Sequence, residues 1–400
     1  IVAPLYMIVS GIGLMFGIGA SVVGSIRLAE GNVKAARIIM TQAYIAGAVI
    51  FGLVIAVSLL FTRPVLYVLG CSPALESLAS DYLLWLLPGL MFFYVQCVGM
   101  MLIRLDGSPK FAMSIQIVAA VLNIFLDWLM VFPLGMGIKG ASIATSISCI
   151  VGGLMVLGYF LFFSDKLKFY RLKLSVKSLR LSLRNTGYMV KIGLATFIAE
   201  LSIGIMMVTG NYVFLDALGE AGVAAFSIGC YLFPLIFSIS NAVAQASQPI
   251  ISFNYGARQF ERVTQALRIA AVTACICGAI ISTGMWSGAS LLTQVFLSPS
   301  EPAYTLAVAG LPVLGICALF FALNITFIGY YQSREQSSRA IIYMLLRGVI
   351  FVVPGFFLLP RIFGETGLWL AIPVSEFLTL LVITIAYLTT RTRHHLSGGC

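Results

Sequence analysis

About twenty apolar residues in a row, recurring eleven times, leave a chain few ways to fold. In lipid each backbone N–H and C=O must find a partner within the protein, so only helices and closed barrels cross. Barrel strands alternate apolar and polar residues with period two. These runs are continuous and read as helices at roughly 2–26, 41–61, 80–104, 111–133, 139–163, 191–214, 223–252, 267–296, 302–331, 339–360 and 366–389. Composition agrees. The chain is 60% hydrophobic and 10% charged, against about 45–50% and about 25% in soluble domains. The expected class is an all-α integral membrane protein.

The net charge of +10 could suggest nucleic acid, but its distribution suggests topology instead. Twenty of the 24 Lys and Arg fall in alternate loops, the largest group being eight between Lys166 and Lys191. The intervening loops hold only Arg63, Lys139 and Arg361. Lys and Arg concentrate in cytoplasmic loops, which places the C-terminus inside and Ile1 outside. A bundle with both ends inside would need one more helix before Ile1, so a first helix is expected to be missing. The segment 164–190 alternates basic with apolar residues and reads as a cytoplasmic linker on the inner surface, with anionic lipid as a candidate partner. The eight cysteines are scattered singly and read as packing residues.

The chain repeats itself. "SIRLAEGNVKAARIIMTQA" aligns with "ISFNYGARQFERVTQALRIA" at an offset of 225, placing Gly31 on Gly256 and Arg37 on Arg262. Pro88 falls on Pro312 at 224, and "GMGIKGASIATSIS" falls on "IFGETGLWLAIPVS" at 227. Two homologous halves follow. An offset of six helices gives both the same orientation, as in secondary transporters whose sites lie near the midplane.

Four ionisable groups lie within spans: Asp127, Glu200, Arg347 and Glu376. Each costs at least about 2.5–3.5 kcal/mol at a helix centre, so each calls for a function or a partner. Asn123 and Asp127 are four apart and share a helix face. Thr145 returns to the same depth after the Gly135–Gly140 turn, so amide, carboxylate and hydroxyl could converge on a proton or Na⁺. The alternative is a carboxylate merely satisfied by its neighbours. Glu200, near mid-membrane, reads as a second protonation site, as a countercharge for a cationic substrate, or as hydrogen bonded to neighbouring helices. Arg347 and Glu376 match in depth across their hairpin and read as a buried ion pair. The alignment puts Asn123 opposite Arg347 and Asp127 opposite Pro354.

No GxxxxGK[ST] occurs, the only histidines are His394 and His395, and no nucleophile–base set is visible, so the chain does not read as an enzyme. "GIGLMFGIGAS" lies within a span, where Gly13 and Gly17 suit close helix packing.

The stretches "QPIISFNYGARQFERV", "IVAPLYMIVSGIGLMFGIGAS" and "LNIFLDWLMVFPLGMGIKGASIATSIS" resemble the MATE family of multidrug and toxic compound extrusion antiporters, in its bacterial MepA-like branch. The resemblance implies twelve helices in two six-helix lobes, with the family's first helix absent here. The lobes would be 1–163 and 191–390, with the 164–190 linker between them and a 391–400 cytoplasmic tail. It implies export of cationic amphipathic drugs in exchange for H⁺ or Na⁺, without a cofactor, by a monomer in a bacterial plasma membrane. Asn123, Asp127 and Thr145 match the family's first-lobe cation site, and Glu200 the acid of its seventh helix. The span 302–331 lacks the aspartate that some relatives carry. The rival readings are a lipid-linked saccharide flippase and a non-transporting membrane protein. A flippase calls for a cationic cavity, and the candidates here are mainly acidic.

Overall fold

The computed structural model describes residues 3–68, 75–173 and 175–397. Its helices are α1 (Ala3–Ala29), α2 (Val33–Leu60), α3 (Thr62–Val68), α4 (Glu76–Leu105), α5 (Pro109–Val131), α6 (Gly137–Gly158), α7 (Val176–Gly256), α8 (Phe260–Ser287), α9 (Ala289–Gln294), α10 (Pro302–Gly315), α11 (Cys317–Ser333), α12 (Ser337–Leu345), α13 (Val352–Phe363) and α14 (Glu365–Ser397). Ten stretches among the described residues are long and apolar enough to cross a membrane. One of them, α7, has 81 residues and turns sharply at Gly219, where φ is 66° and ψ −157°. A straight helix of that length would reach about 120 Å, several times the roughly 30 Å of a hydrocarbon core. It therefore supplies two spans, which makes the eleven that the apolar runs predict.

Some boundaries differ from the sequence reading. The run 302–331 is broken at Ile316, between α10 and α11. Past Pro312 and Gly315 the Ile316 N–H turns to Val313 instead of completing the helical ladder. The freed Gly315 carbonyl accepts from Ser282 Oγ of α8 at 2.7 Å. The run 339–360 is interrupted by a π turn, Leu346–Ile350, which carries Arg347. The polar linker is irregular only as far as Ser175, whose side chain caps Ser178 N and starts α7.

The chain divides into two units, Ile1–Leu201 with Ser252–Gln259, and Ser202–Ile251 with Phe260–Cys400. In the first, the glycines of α1 serve two neighbours. Gly13 and Gly17 face Cys97 of α4, while Gly11 and Gly19 face the start of α7 at Phe197 and Met189. Asp106, just past α4, fixes the chain beyond α6. Its carboxylate accepts from Tyr159 Oη at 2.9 Å, from Ser164 Oγ at 2.8 Å and from the backbone N–H of Lys166 and Leu167 at 3.1 and 2.9 Å. In the second unit α8 packs on α11, with Gly278 against the Ala318–Leu319 backbone.

Helix ends fix the register of the repeat. At Gly31, Gly107, Arg258 and Glu335 the chain leaves a helix through a left-handed residue. Each time that residue's N–H reaches back three residues and the next N–H five, the Schellman pattern. Gly31 therefore matches Arg258, an offset of 227, and not Gly256 as the alignment placed it. Gly137 and Gly364, both with positive φ, keep the same offset, while Gly107 and Glu335 are 228 apart. Counted back from Gly137 and Gly364, Asp127 stays opposite Pro354, but Asn123 matches Ile350 in place of Arg347. The sequence alignment slipped here because it matched a glycine to a glycine, whereas the turn selects a conformation.

Glu335 is exposed and holds φ at 60°. Such a residue has a Cβ penalty that glycine lacks, partly offset by glycine's greater freedom when unfolded. Glu335→Gly is expected to stabilise the protein by about 0.5–1 kcal/mol, read as a higher unfolding midpoint in detergent. An unchanged or lower midpoint would refute the strain.

Candidate functional site

The first unit gathers its polar groups from five helices. Asp127 and Asn123 lie on one face of α5, which abuts α6 across the Gly135–Gly137 turn. Asn123 Nδ2 donates to Thr145 Oγ1 of α6 at 3.5 Å, and Thr145 Oγ1 donates to Ala141 O at 3.0 Å. The structure thus brings Asn123 and Thr145 together. Asp127 joins them by position only: its Oδ1 is buried and has no hydrogen-bond partner. A carboxylate oxygen without a donor is open to a proton or a cation.

Glu200 sits on α7, half-buried, with its Cβ close to Gly11 of α1. Among the described residues no hydrogen bond or ion pair engages it. Two tyrosines lie near the acids. Tyr82 of α4 feels the charge of Asp127, and Tyr6 of α1 feels both Tyr82 and Glu200. Tyr6 stacks on Phe93, with ring centroids 4.6 Å apart, and Ser142 Oγ holds the Tyr82 carbonyl. Cys97 lies near Glu200, and Cys149 near Cys97 and Tyr6. Sequence reasoning missed these neighbours, because a tyrosine or cysteine in an apolar span has no signature of its own.

The second unit holds a different cluster. Arg347 Nε donates to Glu376 Oε1 and Oε2 at 3.0 and 3.1 Å, and Nη2 reaches Oε1 at 2.5 Å. Its guanidinium also lies 4.0 Å from the Phe321 ring centre. Asn324 Nδ2 donates to Glu376 Oε2 at 2.7 Å and to the Glu376 carbonyl at 2.8 Å, while Ser375 Oγ donates to the Arg347 carbonyl. Arg347 and Glu376 are only 6% and 3% exposed, so the two charges are neutralised in place. Asn324 was also missed, although the argument that singled out Asp127 applies to an amide inside "FALNITF". At the offset of 227 set by Gly137 and Gly364, Glu376 occupies the place of Cys149; at the 228 set by Gly107 and Glu335, Asn324 occupies that of Gln96. Among the described residues no group of three or more His, Cys, Asp or Glu could hold a metal ion.

The MatE family model matches residues 1–129 and 188–357. The multidrug export protein MepA of Staphylococcus saprophyticus is 23% identical over 386 residues, covering 96% of this chain and 84% of that protein. An outward-facing structure of a multidrug resistance MATE family transporter of the MOP superfamily superposes with a TM-score of 0.87 at 21% identity, covering 98% of this chain and 86% of that one. A MOP superfamily transporter from Pyrococcus furiosus, for which reverse polarity of the binding pocket suggests a different function, superposes at 0.86 with the same identity and coverage.

Proposed function

The chain belongs to the MatE family, and on that premise we propose that it is a secondary active antiporter, exporting cationic amphipathic compounds in exchange for H⁺ or Na⁺. It is a multi-pass membrane protein of a transporter family, not an enzyme. The observation that carries the exchange reading is the buried, unpartnered Oδ1 of Asp127 beside the Asn123–Thr145 pair. A lone carboxylate within a span favours whatever neutralises it. Proton and Na⁺ both can, and a cationic substrate elsewhere in the cycle can take their place. Asn123, Asp127 and Thr145 supply the oxygens, and Glu200 acts as a second acid reached past Tyr82 and Tyr6. Alternating access would come from two lobes, 1–163 and 191–390. The proposed setting is a bacterial inner membrane, with a monomer and a cytoplasmic C-terminus.

The MepA name of the relative supports multidrug export as the substrate class. The flippase reading needs free positive charge for pyrophosphate. The guanidinium of Arg347 is bound to Glu376, which weighs against that rival. The test uses the full chain in vesicles loaded with ethidium. An opposing proton gradient, and separately a Na⁺ gradient, is imposed across the membrane. One of the two is expected to drive ethidium movement well above protein-free vesicles. If neither does, the antiporter reading fails.

A further inference from the structure

The first four turns of α7 carry three interleaved stripes, each spaced three then four residues. Ser182, Asn185 and Met189 face the first unit. Gln42 Nε2 donates to Ser182 Oγ at 2.8 Å, Asn185 Nδ2 donates to Gln42 Oε1 at 3.0 Å, and Met189 is fully buried. Val176, Leu179 and Leu183 form a second stripe and are 87%, 63% and 66% exposed. Lys177, Arg180 and Arg184 form the third, also exposed, and none of them takes part in an ion pair among the described residues. Lys166, Lys168, Arg171 and Lys173 extend this charge along the incoming chain, and Asp165 is the only acid from Ser164 to Ala199.

The depth of these stripes follows from the packing of α1 against α7. Gly11 lies against Phe197, Gly193 against the Met15 backbone and Gly19 against the Met189 backbone. Each step of four along α1 is a step of four back along α7. Continued by two further steps, this antiparallel register sets Leu181 level with Arg27, in the last turn of α1. The exposed stripes thus straddle the end of α1, from Arg184 level with Gly24 to Val176 about one turn past Ala29. Apolar side chains beside unpaired cations at that depth match the boundary between acyl chains and phosphates.

We propose that residues 166–173 and 175–184 form a binding surface for acidic phospholipid headgroups. Lys177, Arg180 and Arg184 engage the phosphates, and Val176, Leu179 and Leu183 sit among the upper acyl chains. The inference rests on α1 and α7 being membrane spans. It does not depend on transport, so its failure leaves the antiporter reading untouched.

Native mass spectrometry of the full chain, titrated with phosphatidylglycerol or phosphatidylcholine of equal chain length, tests it. Three charges near a surface predict a preference for phosphatidylglycerol of at least about tenfold. The variant K177Q/R180Q/R184Q is expected to lose that preference, and L179S/L183S to bind both lipids more weakly. R258Q/R262Q, which removes exposed charge elsewhere, should keep the preference. All altered side chains are exposed, and unfolding midpoints check that the variants fold. Equal binding of the two lipids by the wild type would overturn the proposal. So would a preference that survives the triple change, or one lost equally in R258Q/R262Q, which would indicate general charge and not a site.

Discussion

Arg347→Met is expected to cost about 3–5 kcal/mol of stability, because it leaves the Glu376 carboxylate charged in a dry interior. Asn324 already donates to Glu376 at 2.7 Å, and the Arg347 guanidinium lies over the Phe321 ring face. Glu376→Gln should be nearly as harmful, since it strands the Arg347 cation over that ring. The double change R347M/E376Q removes both charges and is expected to recover a large part of the loss. Unfolding midpoints and folded yield of the four proteins in one detergent give the comparison. A double variant as unstable as the sum of the singles would show that the pair is not a coupled unit.

Asp127→Asn is expected to leave the fold intact and abolish coupled export. The two halves of that statement have separate grounds. Asp127 Oδ1 makes no hydrogen bond that an amide would break, and losing a buried unpaired charge relieves the helix of a cost. The unfolding midpoint should hold or rise. An amide, however, cannot take up and release a proton. With one pH unit imposed, a one-for-one exchange sustains about a tenfold substrate ratio, and the variant should sustain none. An Asp127→Asn protein that folds and still builds the wild-type ratio would remove Asp127 from the coupling role. A variant that fails to fold would contradict the orphaned oxygen instead.

The spans were legible because burial in lipid acts on every residue of a run at once, so about twenty residues vote together. Breaks within spans were not, since they depend on single residues whose effect is local. Pro312 looks like Pro88 in sequence, yet α4 runs through Pro88 unbroken while the chain past Pro312 divides at Ile316. The charged members of both clusters stood out against apolar surroundings. Their uncharged neighbours did not: Tyr6 is one of 16 tyrosines, and what distinguishes it is its place near Tyr82 and Glu200. Asp106 was overlooked for another reason. In a loop beside Gly107 it reads as a solvated turn residue, and its partners lie more than fifty residues downstream.

The matched helix ends, Gly31 with Arg258 and Gly137 with Gly364 at 227 and Gly107 with Glu335 at 228, give each stretch of one half a twin in the other. The protein thereby contains its own matched comparison. Cys149 shows what a lobe of this design tolerates where its sibling has Glu376. Transplanting the cysteine, as E376C with R347M, asks whether the second lobe can live without charge at that depth. The reciprocal change asks whether the first can live with it. The answers separate what the shared architecture requires from what each half has specialised to do.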